Sequence, residues 1–278
     1  MLHFPNREFL SAFSLTTGLG LAACLSFPTT SAAQEKTAVI IQMPSETAHQ
    51  KMTYADVHRI LMIDVSGSMD AAETLAAFTG ALDYYESDEV KVEQETAICS
   101  ANTIIFYGTY PKVTDTWVVC NQHDLKSFVN AALDTDIAEI QKTTGASTTD
   151  SSLTLALGAA AGVFETERQK GVSSAMRSVL FVSDEYGGDD QGHIDAARDR
   201  LLKTHQSSIG AIALGDGYLS ARFQTHVVSS PELLAKYGIR SVVPKNSYTV
   251  EPPAPGKSDQ RMEMIEEAIK ISFSLGMG

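Results

Sequence analysis

From His58 onward, short apolar runs alternate with stretches whose apolar residues recur every three or four positions. Strands alternating with helices in this way predict an α/β fold with a largely parallel sheet. Ile60 to Ile63 is the first buried strand, and after Asp70 the residues Leu75, Phe78, Leu82 and Tyr85 fall on one helical face. Glu95 to Tyr107 and Thr114 to Cys120 read as strands, close enough in sequence to form an antiparallel hairpin. A helix is expected from about Asp124 to Leu133, and a second carries Leu153, Leu157, Ala160 and Phe164. Val179 to Val182 is apolar throughout, as a strand buried on both faces requires. Ile194, Ala197 and Leu201 mark the next helix and Ile209 to Leu214 a further strand; the stretch up to Val250 has no decisive pattern. Glu251 to Gly256 reads as a loop, and Met262, Ile265, Ile269 and Phe273 line a closing helix. The expected architecture is a doubly wound, mostly parallel sheet with one antiparallel edge strand and helices on both faces.

The first 33 residues are set apart from this fold. Arg7 gives a weakly basic start, Phe9 to Phe27 carries no charge, and Ser31-Ala32-Ala33 offers the small residues of a signal-peptidase site. Leu21-Ala22-Ala23-Cys24 also resembles a lipoprotein cleavage box, in which Cys24 would be lipidated, so removal of 23 or of 33 residues stays open. Asn6 to Leu10 looks like a twin-arginine export motif lacking its first arginine. A lone membrane anchor fits less well, because Gly18, Gly20 and neighbouring Ser and Thr weaken the apolar run. The expectation is a periplasmic or secreted protein, membrane-bound only if Cys24 is lipidated. Residues 34–56 lack sustained periodicity and read as a linker or leading arm, leaving 57–278 as one domain.

Of the 278 residues, 34 are acidic and 21 basic, a net charge of -13. Such a surface repels a phosphate backbone, so nucleic acid is not an expected partner. Three cysteines are too few for a disulfide-rich scaffold or a four-cysteine zinc site. Without the leader, Cys99 and Cys120 remain. A two-residue hairpin turn that pairs Gly108 with Pro111 would also place Cys99 opposite Cys120, and an oxidising compartment would join them.

The residues with most chemical content lie where the first strand ends: Asp64-Val65-Ser66-Gly67-Ser68-Met69, ahead of a helix. In an open α/β sheet, ligands bind at the carboxyl ends of the strands. Asp64, Ser66 and Ser68 are compact oxygen donors suited to a hard cation such as Mg²⁺, and Mn²⁺ can take its place. Further oxygens are available in the loop Gly145 to Asp150 and in Ser183-Asp184-Glu185.

This pattern resembles the von Willebrand factor A domain, whose metal-ion-dependent adhesion site combines Asp-x-Ser-x-Ser with a Thr from a second loop and an Asp from a third. The resemblance covers roughly His58 to Leu275. It maps directly onto Asp64, Ser66 and Ser68. For the second loop it implies Ser147, with Thr148 or Thr149 as alternatives; for the third it implies Asp184, with Glu185 as alternative. With its leader, the chain resembles a bacterial family of exported single-domain proteins of this type. The resemblance implies a metal-dependent module that binds a protein partner through that partner's Asp or Glu side chain.

Competing readings are simpler. Asp64 to Ser68 serves equally as a turn that caps the next helix. Asp189 and Asp190 read as a solvated loop, and Gly215-Asp216-Gly217 as a turn. A second class of function is a structural domain, or an accessory subunit of an envelope complex, in which the ion only orders the loops. Enzymatic chemistry is not expected. Ser66 lacks the Gly-x-Ser-x-Gly context, His123, His193, His205 and His226 lack zinc-protease spacing, and no phosphate-binding Gly-rich loop occurs.

Overall fold

Strand β2 (Tyr54–Asp64) carries the first apolar run and lies at the centre of the sheet. It pairs in parallel with β3 (Ser100–Tyr107) on one side and β6 (Ser173–Ser183) on the other. Outside β6 follow β7 (Ser207–Ala213) and β8 (Ser247–Thr249), both parallel to their neighbours. On the far side of β3, two short strands, β4 (Pro111–Val113) and β5 (Trp117–Val119), run antiparallel to it. Strand β1 (Val39–Ile40) pairs in parallel with the outer side of β4, so part of the presumed arm belongs to the sheet. These eight strands have the order β1-β4-β3-β2-β6-β7-β8, with β5 also on β3. The computed structural model describes residues 39–40, 54–69, 71–85, 99–145, 152–170, 173–215, 217–239 and 247–249, with 260, 263–265 and 267–269 near the C-terminus. The presumed export signal, residues 1–33, lies outside them.

The helices are α1 (Ala71–Tyr85), α2 (Gln122–Leu133), α3 (Ile137–Thr143), α4 (Leu153–Gln169), α5 (Gln191–His205), α6 (Gly217–His226) and α7 (Pro231–Tyr237). Alternation along β2 divides the core between the two faces of the sheet. Leu61 and Ile63 pack with Phe78 and Leu82 of α1, Phe128 of α2, and Ile265 and Ile269 of the helical residues near the C-terminus. Ile60 and Met62 pack with Leu157 and Phe164 of α4, Ile194 and Leu201 of α5, and Phe223 of α6. The predicted mostly parallel sheet with helices on both faces is the observed one.

Two departures are instructive. Leu75, expected on the buried face of α1, is 54% exposed. With Phe78, Leu82, Val129, Leu133 and Ile137 it lines a shallow groove between α1 and the pair α2–α3.

The hairpin also differs from its expected form. Tyr107 pairs with Pro111 across the three residues Gly108, Thr109 and Tyr110, so Gly108 does not pair with Pro111. Lower down, Asn102 pairs with Trp117 while Ile105 pairs with Val113, so Thr114-Asp115-Thr116 faces only Thr103-Ile104. This one-residue bulge shifts the register. At the bulge Thr114 serves Ile104 twice, its N–H donating to the Ile104 carbonyl at 2.9 Å and its Oγ1 accepting from the Ile104 N–H at 3.0 Å. The longer turn and the bulge offset each other. Cys99 therefore stands opposite Cys120, with Cα atoms 4.3 Å apart, and the two form a disulfide.

Candidate functional site

Parallel register sets three side chains in a row at the carboxyl end of the sheet. Asp64 pairs with Tyr107 on β3, and the β2–β6 register that joins Ile63 to Val182 brings Ser183 to the same height. All three residues are fully buried. In-register neighbours of a parallel sheet point to one face, here the face covered by α4 and α5.

Asp64 Oδ1 accepts from the Ser66 N–H at 2.8 Å, which turns the chain sharply after β2. The turn brings Ser66 Oγ to 2.9 Å from Ser68 Oγ, and Ser68 Oγ donates to Asp184 Oδ1 at 3.0 Å. Two loops more than a hundred residues apart thus meet through one hydroxyl chain between two carboxylates. Ser183 Oγ lies 2.6 Å from Asp64 Oδ2 and 2.6 Å from the Glu185 carbonyl oxygen. A hydroxyl has one proton and cannot donate to both. Both contacts are made when Asp64 is protonated and donates to Ser183, which then donates to Glu185.

The electrostatics agree with that protonation. Burial pushes the Asp64 carboxyl up from 3.8 to about 7, against the lowering effect of its bonds to Ser183 and Ser66. Burial likewise raises Asp184 to about 6, opposed by the Ser68 bond and reinforced by the negative charges of Glu185 and Glu73. The Tyr107 phenol is raised well above its ordinary value by burial and by the Asp64 carboxylate. Hydrogen bonding with Ser183 opposes that rise.

Of the predicted site residues, the structure brings together Asp64, Ser66, Ser68 and Asp184. Ser147, Thr148 and Thr149 lie outside the described residues. The glycine that opens their loop, Gly145, has φ of 74°, and a Cβ there would sit 3.2 Å from Thr109. Its conformation and the lack of space both call for glycine.

The acidic residues left out of the predicted site have other partners. Asp190 caps α5 by accepting from the Gly192 and His193 N–H groups. Asp189 accepts from Ser152 Oγ and from the Thr154 N–H at the start of α4. Sequence reasoning placed Ser183 in a loop offering further oxygens to the Asp64 site, without its contact to Asp64, and missed Tyr107. Their one visible signal was a polar residue closing an apolar strand, which gains meaning only from the register across strands.

His58 belongs to a different part of β2. Its Nδ1 is 2.7 Å from Glu167 Oε2 and its Nε2 is 3.0 Å from Thr103 Oγ1, six residues before Asp64. At about 3.3 Å per residue this network is roughly 20 Å from the site.

No family model matches the chain, and no curated protein matches it. Solved structures with a similar chain path include proximal thread matrix protein 1 from the mussel byssus, at 12% identity and a TM-score of 0.49, covering 81% of this chain and 49% of that one. The pilus adhesin SpaC from Lactobacillus rhamnosus GG aligns at 10% identity and 0.46, over 79% of this chain and 31% of the adhesin. The SpRpn10 VWA domain aligns at 13% identity and 0.46, over 78% of this chain and 96% of the domain. This chain therefore spans about half the length of the mussel protein and less than a third of the adhesin. The fold described above stands on its own strand order and register.

The donor set fits a hard divalent cation. Every atom that converges is oxygen, two are carboxylates, and the charges acting on Asp184 from Glu185 and Glu73 are negative. Among the described residues no group of three or more His, Cys, Asp or Glu side chains is placed to hold a metal ion, so the candidate set depends on serine hydroxyls beside its two carboxyls. Nor, among the described residues, is any helix long and apolar enough to cross a membrane.

Proposed function

We propose that this protein is an exported, non-enzymatic binding module that holds a divalent cation, Mg²⁺ or Mn²⁺, and uses it to dock an acidic side chain of a protein partner. The observation that supports this is the meeting of Asp64, Ser66, Ser68 and Asp184 at the carboxyl edge of the sheet, with both carboxyls raised by burial. Asp64 and Asp184 would hold the ion with the two serine hydroxyls, and the second loop, through Ser147 or Thr148, would add one further oxygen. A cation so held supplies an open coordination position that a carboxylate from outside can fill. Ser183 keeps the Asp64 carboxylate oriented by donating to it once its proton has left. Tyr107 lies buried beside Asp64, its ring edge-on to Phe181 at 5.9 Å between centroids. The Cys99–Cys120 disulfide supports export, because such bonds persist in oxidising compartments.

The experiment is affinity capture of an envelope extract on the immobilised protein with Mg²⁺, followed by elution with chelator. Docking through the ion predicts that a partner leaves on chelation and that Asp64→Ala captures none. A partner retained through chelation, or none captured by the Mg²⁺-loaded protein, would favour an ion that only orders the loops.

A further inference from the structure

Close in sequence to the Asp184 loop, a buried tyrosine carries an arginine over its ring. Arg222 on α6 places its guanidinium carbon over the ring of Tyr186, 3.9 Å from the centroid, and 6.0 Å from that of Tyr218. Tyr186 is two residues beyond Asp184, is buried, and is pinned by its hydroxyl donating to Gln191 Oε1 at 2.8 Å. Two residues ahead of α6, a Cβ on Gly215 would be 3.0 Å from Leu219 Cδ2 and 4.0 Å from the Asp184 carbonyl oxygen. The first turn of α6 is thereby packed against the Asp184 loop, and Arg222 follows Leu219 one turn later. Tyr218 is 71% exposed.

Some surface cations are neutralised, Arg168 by Glu165, Arg198 by Asp195 and Asp199, Lys203 by Asp199, and Lys142 by Glu139, while among the described residues no ion pair joins exposed Lys126, Lys170, Arg200 or Lys236 to a carboxylate. No ion pair joins Arg222 to a carboxylate among the described residues. A guanidinium held over an aromatic ring has five N–H donors, which a cation–π contact does not use up and which can bind a carboxylate.

We propose that Arg222, held on Tyr186 and flanked by Tyr218, takes a second acidic side chain of the docking segment, so that the partner is an extended peptide carrying two carboxylates. This rests on the cation-docking reading: the first carboxylate meets the ion, and the second meets Arg222. Side chains on one side of an extended segment recur every second residue, about 6.6 Å apart, so the second acid lies two or four residues from the first. Charge complementarity supports this occupant. An acidic peptide would be repelled by most of a surface with a net charge of -13, and the ion and Arg222 together give it one cationic track.

The test uses synthetic nine-residue peptides in a Gly/Ser background with a central Asp, alone or with one Glu at each other position. Binding to the Mg²⁺-loaded full chain is read by fluorescence anisotropy. The expected result is Mg²⁺-dependent binding of the single-Asp peptide and a gain of about tenfold with Glu two or four residues away, the scale of one charge-assisted contact. In Arg222→Gln that gain disappears while the single-Asp peptide binds as before. Arg222→Lys, which loses the planar fork, retains only part of it. If the single-Asp peptide binds with Mg²⁺ but no second acid improves it, or if the gain survives Arg222→Gln, the two-carboxylate inference is overturned and cation docking stands. If no peptide binds the Mg²⁺-loaded protein, both are overturned together.

Discussion

Protonation of Asp64 ties the stability of the fold to pH in an unusual direction. In the unfolded chain this carboxyl titrates near 3.8, and in the folded, metal-free protein near 7. Between these values the folded state holds a proton that the unfolded state has lost, so stability falls as pH rises through this window. It is fully present near and below pH 4 and lost above pH 7. At about 1.4 kcal/mol per pH unit, the gap corresponds to about 4 kcal/mol for this fully buried group. Asp184, raised to about 6, acts in the same direction, and its partial exposure weakens its share.

The assay is urea unfolding of chelator-treated protein at about pH 5 and about pH 8. Wild type is expected to lose stability by several kcal/mol at the higher pH, and Asp64→Asn, which cannot ionise, is expected to lose most of that dependence. Saturating Mg²⁺ should restore stability at the higher pH by about 2.7 kcal/mol at a hundredfold excess over its dissociation constant. Metal-free stability that is flat or rises over this range would refute the reasoning, as would an Asp64→Asn variant with the wild-type slope.

Two further outcomes follow from the same structure. Reduction of the Cys99–Cys120 bond, or Cys99→Ser with Cys120→Ser, should lower stability by about 3 kcal/mol for a loop of this length, read as a lower urea midpoint under reducing conditions; an unchanged midpoint would contradict a bond formed in the native protein. Asp190→Ala should cost about 1 kcal/mol through loss of the α5 cap and leave Mg²⁺ uptake unchanged, read by thermal melting and titration.

Much of this architecture is written in local pattern. The run Ile60–Ile63 and the Asp-x-Ser-x-Ser turn after it are short-range features, and the sheet centre and the Asp64 turn appear where they were expected. What depends on tertiary packing was not legible. Leu75 has helical spacing with Phe78 and Leu82, but α1 buries Thr74, Ala76 and Ala77 around it and leaves Leu75 on the rim of the buried face, which spacing alone does not record. Helix α6 starts at a glycine, and α3 and α7 span seven residues each, too short for periodicity to stand out. The cysteine pairing was reached from a two-residue turn that does not exist. It held because the extra turn residue and the bulge at Thr114–Thr116 cancel, an offset that spacing alone cannot reveal. Ser183 and Tyr107 join Asp64 only through the parallel register of three strands.

The central claim is that Asp64, Ser66, Ser68 and Asp184 form a cation site, and calorimetric titration of Mg²⁺ and Mn²⁺ into chelator-stripped protein tests it most directly. The account predicts saturable uptake of about one ion per chain by the wild type, in keeping with a single oxygen-lined site. Asp64→Ala should abolish uptake and Asp184→Ala should weaken it. A stripped wild type that takes up neither ion at millimolar concentration would contradict the account and leave these residues as a hydrogen-bonded turn.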